Sequence, residues 1–139
     1  HASYGYLTEG GVVMNGVFEV SKTPIYYKDL LKRTEISCLT AIYNAGRIGK
    51  YYMPDLRKKQ DYALWLDILS SGIVSIPFNE QVAWYRQVSN SNTSDKKSLV
   101  ILHYKFLREH EELSRWKSIY YTVYYMINGL FRYYIKFRL

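Results

Sequence analysis

Strand-forming segments come first in this chain and helix-forming segments come last, and this order limits the folds that the chain can adopt. β-rich runs at residues 2–7 and 12–20, separated by Thr8-Glu9-Gly10-Gly11, predict a hairpin. Residues 97–113 and 117–137 instead carry apolar side chains at helical spacing. This order predicts a protein of the α/β or α+β class, with a sheet followed by C-terminal helices.

Shorter elements are predicted between these two ends. The strongest helix signal runs from about Lys58 to Ser70, and Gly72 closes it. The remaining predictions are a helix at 26–32, strands at 36–43, 73–76 and 82–86, a turn at 44–46 and a polar loop at 87–94.

Length and composition exclude several classes of protein. The 139 residues form one domain, and 48% hydrophobic with 22% charged residues excludes wholesale disorder. One cysteine, Cys38, excludes a disulfide framework and a cysteine-rich zinc site. The sequence also lacks a His-Glu-x-x-His pair, a glycine-rich phosphate loop and a Gly-x-Ser-x-Gly elbow. His103 and His110, seven residues apart, are predicted to be surface histidines.

Positive charge is concentrated at the C-terminus. The net charge is +7, and residues 115–139 contribute +5 because they contain five cations and no acid. The rest of the chain is nearly balanced, so a whole-domain basic patch is poorly supported and no nucleic-acid partner is expected. Binding of single-stranded nucleic acid through tyrosines and cations is the least favoured hypothesis. The N-terminus lacks an initiator methionine and the features of a signal peptide, so we expect a piece of a longer protein.

The cationic tail also carries nine aromatic residues. Its longest uncharged run, residues 118–131, is shorter than the roughly 20 residues of a spanning helix. One helical stripe contains Tyr120, Val123, Ile127, Leu130 and Tyr134. Such a helix is typical of the lipid headgroup layer, and we expect residues 115–139 to bind a membrane surface. The alternative is packing against the domain or against a second copy in a homo-oligomer.

The helix at 58–70 contains the principal candidate for chemistry. Asp61 falls in its first turn, where the helix dipole favours an ionised carboxylate. One interpretation is that Asp61 caps the helix. The other starts from Asp61, Trp65 and Ile68, which share one stripe: Asp61 would face a cleft, and Trp65 would form an apolar wall for a sugar. Plain core packing of Trp65 is the competing interpretation.

These residues form part of a longer similarity. Gln60-Asp61-Tyr62-Ala63-Leu64-Trp65-Leu66, then Gly72, then Asn79-Glu80 and Ala83-Trp84-Tyr85-Arg86, resemble the C-terminal half of bacterial family 2 glycosyltransferases. The segments 36–40, 51–55 and 90–96 also fit this pattern. The resemblance covers most of residues 2–100, and the helical tail fits more loosely.

The resemblance implies a glycosyltransferase A-type fold, which is Rossmann-like and belongs to nucleotide-diphospho-sugar transferases. Residues 1–96 would be the acceptor-side part of that domain, and 97–139 a C-terminal helical segment. The implied reaction is an inverting transfer of a sugar from a nucleotide-sugar donor to a hydroxyl of a saccharide or lipid-linked acceptor. It would serve surface polysaccharide or lipopolysaccharide synthesis, on the cytoplasmic face of the cell membrane.

The same resemblance assigns roles to individual residues. Asp61 matches the general base, and Gln60 stands where the family has Glu, so we expect Gln60 to orient substrate. Acceptor-binding residues would be Trp65, Ser37, Cys38 and Thr40. Residues placed to meet the donor phosphates would be Arg86, Ser91, Ser94 and Lys96, although an ion pair at the strand end is the alternative for Arg86.

The sequence also departs from the family. It has no Asp-x-Asp element, and Val88 stands where some members place a metal-binding histidine. The nucleotide-binding half is missing, so we expect the chain to be inactive alone. The complete enzyme would use a divalent metal, Mn or Mg, with ligands outside this chain. The competing hypothesis is a non-catalytic domain that retains the fold and binds a membrane or a protein partner.

Overall fold

The computed structural model describes residues 1–88 and 96–138, with side chains described for 1–88 and 98–131. The elements in chain order are β1 (Ala2–Leu7), β2 (Val13–Phe18), α1 (Tyr27–Lys32), α2 (Ala45–Ile48), α3 (Gln60–Ser70), β3 (Phe78–Arg86), α4 (Lys96–Glu109) and α5 (Arg115–Arg138). The protein is a mixed α/β structure that ends in two helices, as the sequence predicts. The division at residue 96 stays a prediction.

A three-stranded mixed sheet has the order β2-β1-β3. β1 pairs with β2 in antiparallel fashion, which confirms the predicted hairpin, and the Thr8 amide donates to the Val12 carbonyl over 2.8 Å at its turn. β1 pairs with β3 in parallel, with Leu7 opposite Arg86. Both strands therefore end at the same edge of the sheet, which is where open α/β sheets bind ligands.

Helix α3 lies at the centre of the core. Seven of its eleven residues are buried, and the fully buried Leu30 and Leu31 of α1 and Leu107 of α4 belong to the same cluster. The helix ends as predicted, because Gly72 adopts a φ of 88° just beyond it. The position of α3 in the core therefore fixes the position of its first turn.

The predicted strand at 36–43 is wrong, since these residues form a turn and irregular chain. The Ser37 carbonyl accepts from the amides of Thr40 and Ala41, and the Ser37 hydroxyl accepts from the Leu39 amide. These local bonds occupy the groups that a strand would offer to a neighbour. The Thr40 hydroxyl instead joins this segment to β1, by donating to the Ala2 carbonyl over 2.8 Å.

Other boundaries also differ from the prediction, and β3 begins at Phe78 rather than at residue 82. Residues 73–76 form only an isolated bridge between Ser75 and Ile25, and the predicted turn at 44–46 begins the single-turn helix α2. Helix α4 ends at Glu109 rather than Leu113, because Glu112 takes a left-handed φ of 51°. The Leu113 amide then donates to the Leu107 carbonyl, which closes the helix end.

Helix α5 packs on α1 and α4 through a face of small polar residues and two tyrosines, Tyr121 and Tyr125. Ser118 and Thr122 are buried, and the Asn128 amide donates to the Lys32 carbonyl over 3.0 Å. The exposed face is apolar and aromatic; it includes Trp116, Ile119, Tyr120, Val123, Tyr124, Met126, Ile127, Leu130 and Phe131. Among the described helices, none combines the length and apolar character needed to cross a membrane.

Candidate functional site at the start of helix α3

Asp61 lies in the first turn of α3 and is half-buried. Its Oδ1 atom accepts a hydrogen bond from the Tyr62 amide over 2.9 Å. That amide is one of the first-turn donors that lack a partner within the helix, so the carboxylate does contact the helix end. Since Asp61 is only half-buried, this contact leaves the carboxylate partly accessible for a second role.

A half-buried lysine precedes the helix. Lys59 occupies the N-cap position with a left-handed φ of 65°, and its Nζ atom lies 2.5 Å from Nδ1 of His103 on α4. The ammonium also lies over the rings of Tyr62, Phe106 and Tyr125, at 5.0, 5.8 and 4.9 Å from their centroids. The start of α3 is thus attached to α4 and α5 by one side chain inside an aromatic enclosure.

Burial shifts the proton equilibria of this pair. It lowers the pKa of Lys59 to about 8, and the negative charge of Asp61 opposes the shift. Burial, reinforced by the Lys59 charge, lowers the pKa of His103 to about 3. At neutral pH a neutral imidazole therefore accepts from a lysine ammonium close to Asp61.

The surface position predicted for His103 is wrong, since its side chain is fully buried and stacks on Tyr125 with ring centroids 4.1 Å apart. Its Nε2 atom is buried and has no hydrogen-bond partner among the described residues. Sequence reasoning missed the pair with Lys59 because the two residues are 44 positions apart. Helical phase with Phe106 is the signal that could have placed His103 inward.

Trp65 and Asp61 do not line a common described cleft. Trp65 is buried in the core, its indole nitrogen is unpartnered among the described residues, and it borders a cavity of about 60 Å³ that Tyr43 also lines. Thr40 lines an adjoining cleft of about 890 Å³, between the start of β1 and residues 73–76.

The other predicted acceptor residues are dispersed around this region. Gln60 and Cys38 are exposed, and Ser37 is half-buried in its turn. The structure shows that Trp65 packs in the core, which is the competing interpretation of this residue. The acceptor-binding role of Trp65, Gln60, Ser37, Cys38 and Thr40 stays a prediction.

Arg86 lies at the edge where β1 and β3 both end. It is exposed, and its Nη1 atom donates to the carbonyl of Glu9 in the hairpin turn over 2.8 Å. The observed partner is thus a backbone carbonyl rather than the carboxylate of an ion pair. Ser91 and Ser94 lie outside the described residues, and Lys96 begins α4 with its side chain outside the description. Donor-phosphate binding by these four residues stays a prediction.

One group of described residues has the chemistry of metal ligands. Side-chain atoms of Asp67, His110 and Glu111 lie within 4.8 Å of one another. One imidazole and two carboxylates suit a divalent transition metal. However, the Tyr27 hydroxyl already donates to Glu111 over 2.5 Å, and Asp67 follows Asp61 by six residues, about 9 Å along the helix. This group therefore does not fit a metal centre beside Asp61, and we derive no step from it.

Among known proteins, the relatives of this chain are bacterial glycosyltransferases. The chain is 32% identical over 127 residues to a Bacillus subtilis protein named for a glycosyltransferase role in teichuronic acid biosynthesis, covering 91% of this chain and 50% of the relative. It is 32% identical over 133 residues to the Escherichia coli UDP-Glc:alpha-D-GlcNAc-diphosphoundecaprenol beta-1,3-glucosyltransferase, covering 96% and 52%.

A glycosyltransferase of Haemophilus influenzae is 28% identical over 134 residues, covering 96% of this chain and 52% of the relative. The chain thus spans about half the length of the relatives it matches, which is consistent with the C-terminal half of a glycosyltransferase. No protein-family profile matches it, and no solved structure does.

Proposed function

We propose that this chain is the acceptor-side half of an inverting glycosyltransferase of the family 2 type, with Asp61 as its general base. The observation that carries the proposal is the half-buried carboxylate in the first turn of α3, close to the half-buried ammonium of Lys59. A general base must be ionised before the reaction and reachable by the acceptor hydroxyl. The Asp61 carboxylate lies at the helix N-terminus, and its charge acts on the ammonium of Lys59.

In the proposed reaction, the acceptor hydroxyl oxygen attacks the anomeric carbon of the donor sugar. The bond from that carbon to the donor diphosphate breaks, and the diphosphate leaves with the electron pair. The hydroxyl proton passes to the Asp61 carboxylate. Because attack and departure occur on opposite faces, the anomeric configuration inverts. Gln60, exposed beside Asp61, would orient the acceptor.

The donor and its metal belong to the complete enzyme in this proposal. A divalent cation, Mn or Mg, would neutralise charge on the leaving diphosphate when bound, with its ligands outside this chain. Arg86, at the edge where β1 and β3 end, would contact the same diphosphate. We therefore expect this chain alone to be inactive in sugar transfer.

The name of one relative supports the proposed substrates. The E. coli relative is named for a nucleotide-sugar donor and a diphosphoundecaprenol-linked acceptor, which is a lipid. A lipid-linked acceptor fits the exposed apolar face of α5, so we place the protein on the inner face of the cell membrane, held through residues 115–139. Its product would enter surface polysaccharide synthesis.

The test replaces Asp61 by Asn in the complete enzyme and measures sugar transfer from the nucleotide-sugar. We expect a loss of at least about 10²-fold in kcat, because the amide cannot take the proton, while donor affinity is retained. Asp55→Asn, an exposed carboxylate in the preceding loop, is the matched control. Undiminished turnover of Asp61→Asn would remove the base role.

The competing hypothesis is a non-catalytic domain that keeps the fold and binds through α5, whose exposed apolar face is its supporting observation. It predicts that the complete protein transfers no sugar with any nucleotide-sugar donor, although it still binds vesicles. Measurable turnover excludes it.

A further inference from the structure

A groove of about 620 Å³ lies between the loop that precedes α3 and one face of α4. Four cationic side chains line it: Arg57, Lys58 and Lys59 from the loop, and Lys105 from α4. Glu109 is the single carboxylate among the described lining residues. The excess of positive charge in a concave surface favours an anionic occupant.

The cationic groups in the groove indicate which kind of anion would bind there. Guanidinium and ammonium groups together match the several oxygens of a phosphate or diphosphate, which accept charge-assisted hydrogen bonds from both. Arg57 and Lys105 are exposed and come from opposite walls of the groove. An anion with more than one phosphate would use both walls.

The groove also has an apolar part, formed by Leu56, Leu102 and Phe106. Its lining on α4 runs from Ser98 to Glu109, which corresponds to about 16 Å along the helix. A small inorganic anion would leave this apolar surface uncovered. A diphosphate that carries a hydrocarbon group would satisfy the cations and cover the apolar side chains at once.

We propose that this groove binds the diphosphate end of a lipid-linked acceptor, with the start of its hydrocarbon chain against Leu102 and Phe106. Lys59 supports the assignment because it lines the groove and lies two residues before Asp61. An occupant held there lies beside the helix end that carries the base. The claim that the groove binds the acceptor rests on the proposed function. The claim that it binds a diphosphate does not.

The test measures binding of farnesyl diphosphate to this chain by calorimetry at fixed ionic strength. Inorganic pyrophosphate, farnesol and UDP-glucose are the comparison ligands. Arg57→Gln with Lys105→Gln removes one cation from each wall. Lys22→Gln with Lys50→Gln, two exposed lysines outside the groove, makes the same change in net charge. Thermal unfolding of each variant verifies that it folds.

We expect farnesyl diphosphate to bind more tightly than pyrophosphate or farnesol, and the groove pair to weaken it by at least about tenfold. The control pair should change it by less than about twofold. Equal weakening by both pairs, or no binding by the folded chain, would overturn the proposal. Tighter binding of UDP-glucose through the same residues would assign the groove to the donor and overturn it as well.

The Asp61→Asn variant separates the two proposals. It should bind farnesyl diphosphate as the wild-type chain does, because the carboxylate lies outside the groove lining. Lost transfer with retained binding supports both proposals. Retained transfer with retained binding contradicts the base role alone, and lost binding in the groove pair with normal transfer contradicts the acceptor assignment alone.

Discussion

The Nζ atom of Lys59 lies 2.5 Å from Nδ1 of His103, so the residue that starts α3 is held by the middle of α4. Asp61 follows two residues later, and its backbone is therefore positioned by a contact between segments 44 residues apart in sequence. The left-handed φ of 65° at Lys59 is uncommon in a residue with a side chain. The contact with His103 helps to offset the cost of this conformation.

Stability should depend on pH through this pair. The pKa of His103 is about 3 in the folded chain against 6.5 ordinarily, so the unfolded chain binds more protons between these values. The free energy of unfolding therefore falls as pH drops from 6.5 to 3, by up to about 1.4 kcal/mol per pH unit. Urea unfolding at several pH values across this range measures the free energy of unfolding. In His103→Gln this free energy should depend less steeply on pH. Equal slopes would contradict the prediction.

Lys59 should make the free energy of unfolding depend on pH in the alkaline range. Its pKa of about 8 in the folded chain lies below the ordinary 10.5, so the unfolded chain again binds more protons between the two values. The free energy of unfolding should rise as pH increases from 8 to 10.5. Lys59→Met, which keeps the apolar stem, should remove that rise in urea titrations. A rise that persists in Lys59→Met would assign it to another group.

Gly5 should not tolerate a larger side chain. A Cβ atom at this position would lie 2.5 Å from the Trp84 ring on the neighbouring strand. Gly5→Ala should therefore destabilise the sheet by about 1–3 kcal/mol through overpacking, measured by urea unfolding. Gly10→Ala is the control, because its nearest contact would be 4.0 Å away. Equal effects of the two changes would contradict the packing argument.

The hydroxyl group of Thr40 should contribute to the stability of the folded chain. Oγ1 donates to the Ala2 carbonyl over 2.8 Å and accepts from the Ala2 amide over 3.3 Å. Thr40→Val leaves two part-buried backbone groups without this partner and should cost about 1–3 kcal/mol. Thr23→Val, at an exposed position, should change stability little. Urea unfolding compares the two variants. An unchanged unfolding midpoint in Thr40→Val would show that the two hydrogen bonds to Ala2 contribute nothing to stability.

The exposed face of α5 should bind anionic membranes. Val123→Ser with Leu130→Ser removes two exposed apolar side chains and should weaken binding to phosphatidylglycerol vesicles by about 10-fold or more. The melting temperature should stay unchanged, because neither side chain is buried. Val13→Ser with Val17→Ser, which removes two exposed apolar side chains from β2, is the control and should leave vesicle binding intact. Equal losses would mean that α5 is not the membrane contact.

Much of the local structure could be predicted from the sequence. The hairpin of β1 and β2 and the end of α3 at Gly72 follow from turn and cap residues next to the elements they terminate. Asp61 falls in a first helical turn for the same reason. The strand predicted at 36–43 fails because Ser37 and Thr40 satisfy backbone groups locally and through β1, which hydrophobic patterning does not reveal.

The residues alone thus determined the order of the elements, the helix that carries the candidate base and the resemblance to glycosyltransferases, because each depends on neighbours within a few positions. Only the tertiary structure decided that His103 is buried against Lys59, that Trp65 packs in the core, and that α5 turns its apolar face outward. These outcomes depend on which distant segment removes a side chain from water. Burial is a property of the assembled chain, and periodicity in one helix does not determine it.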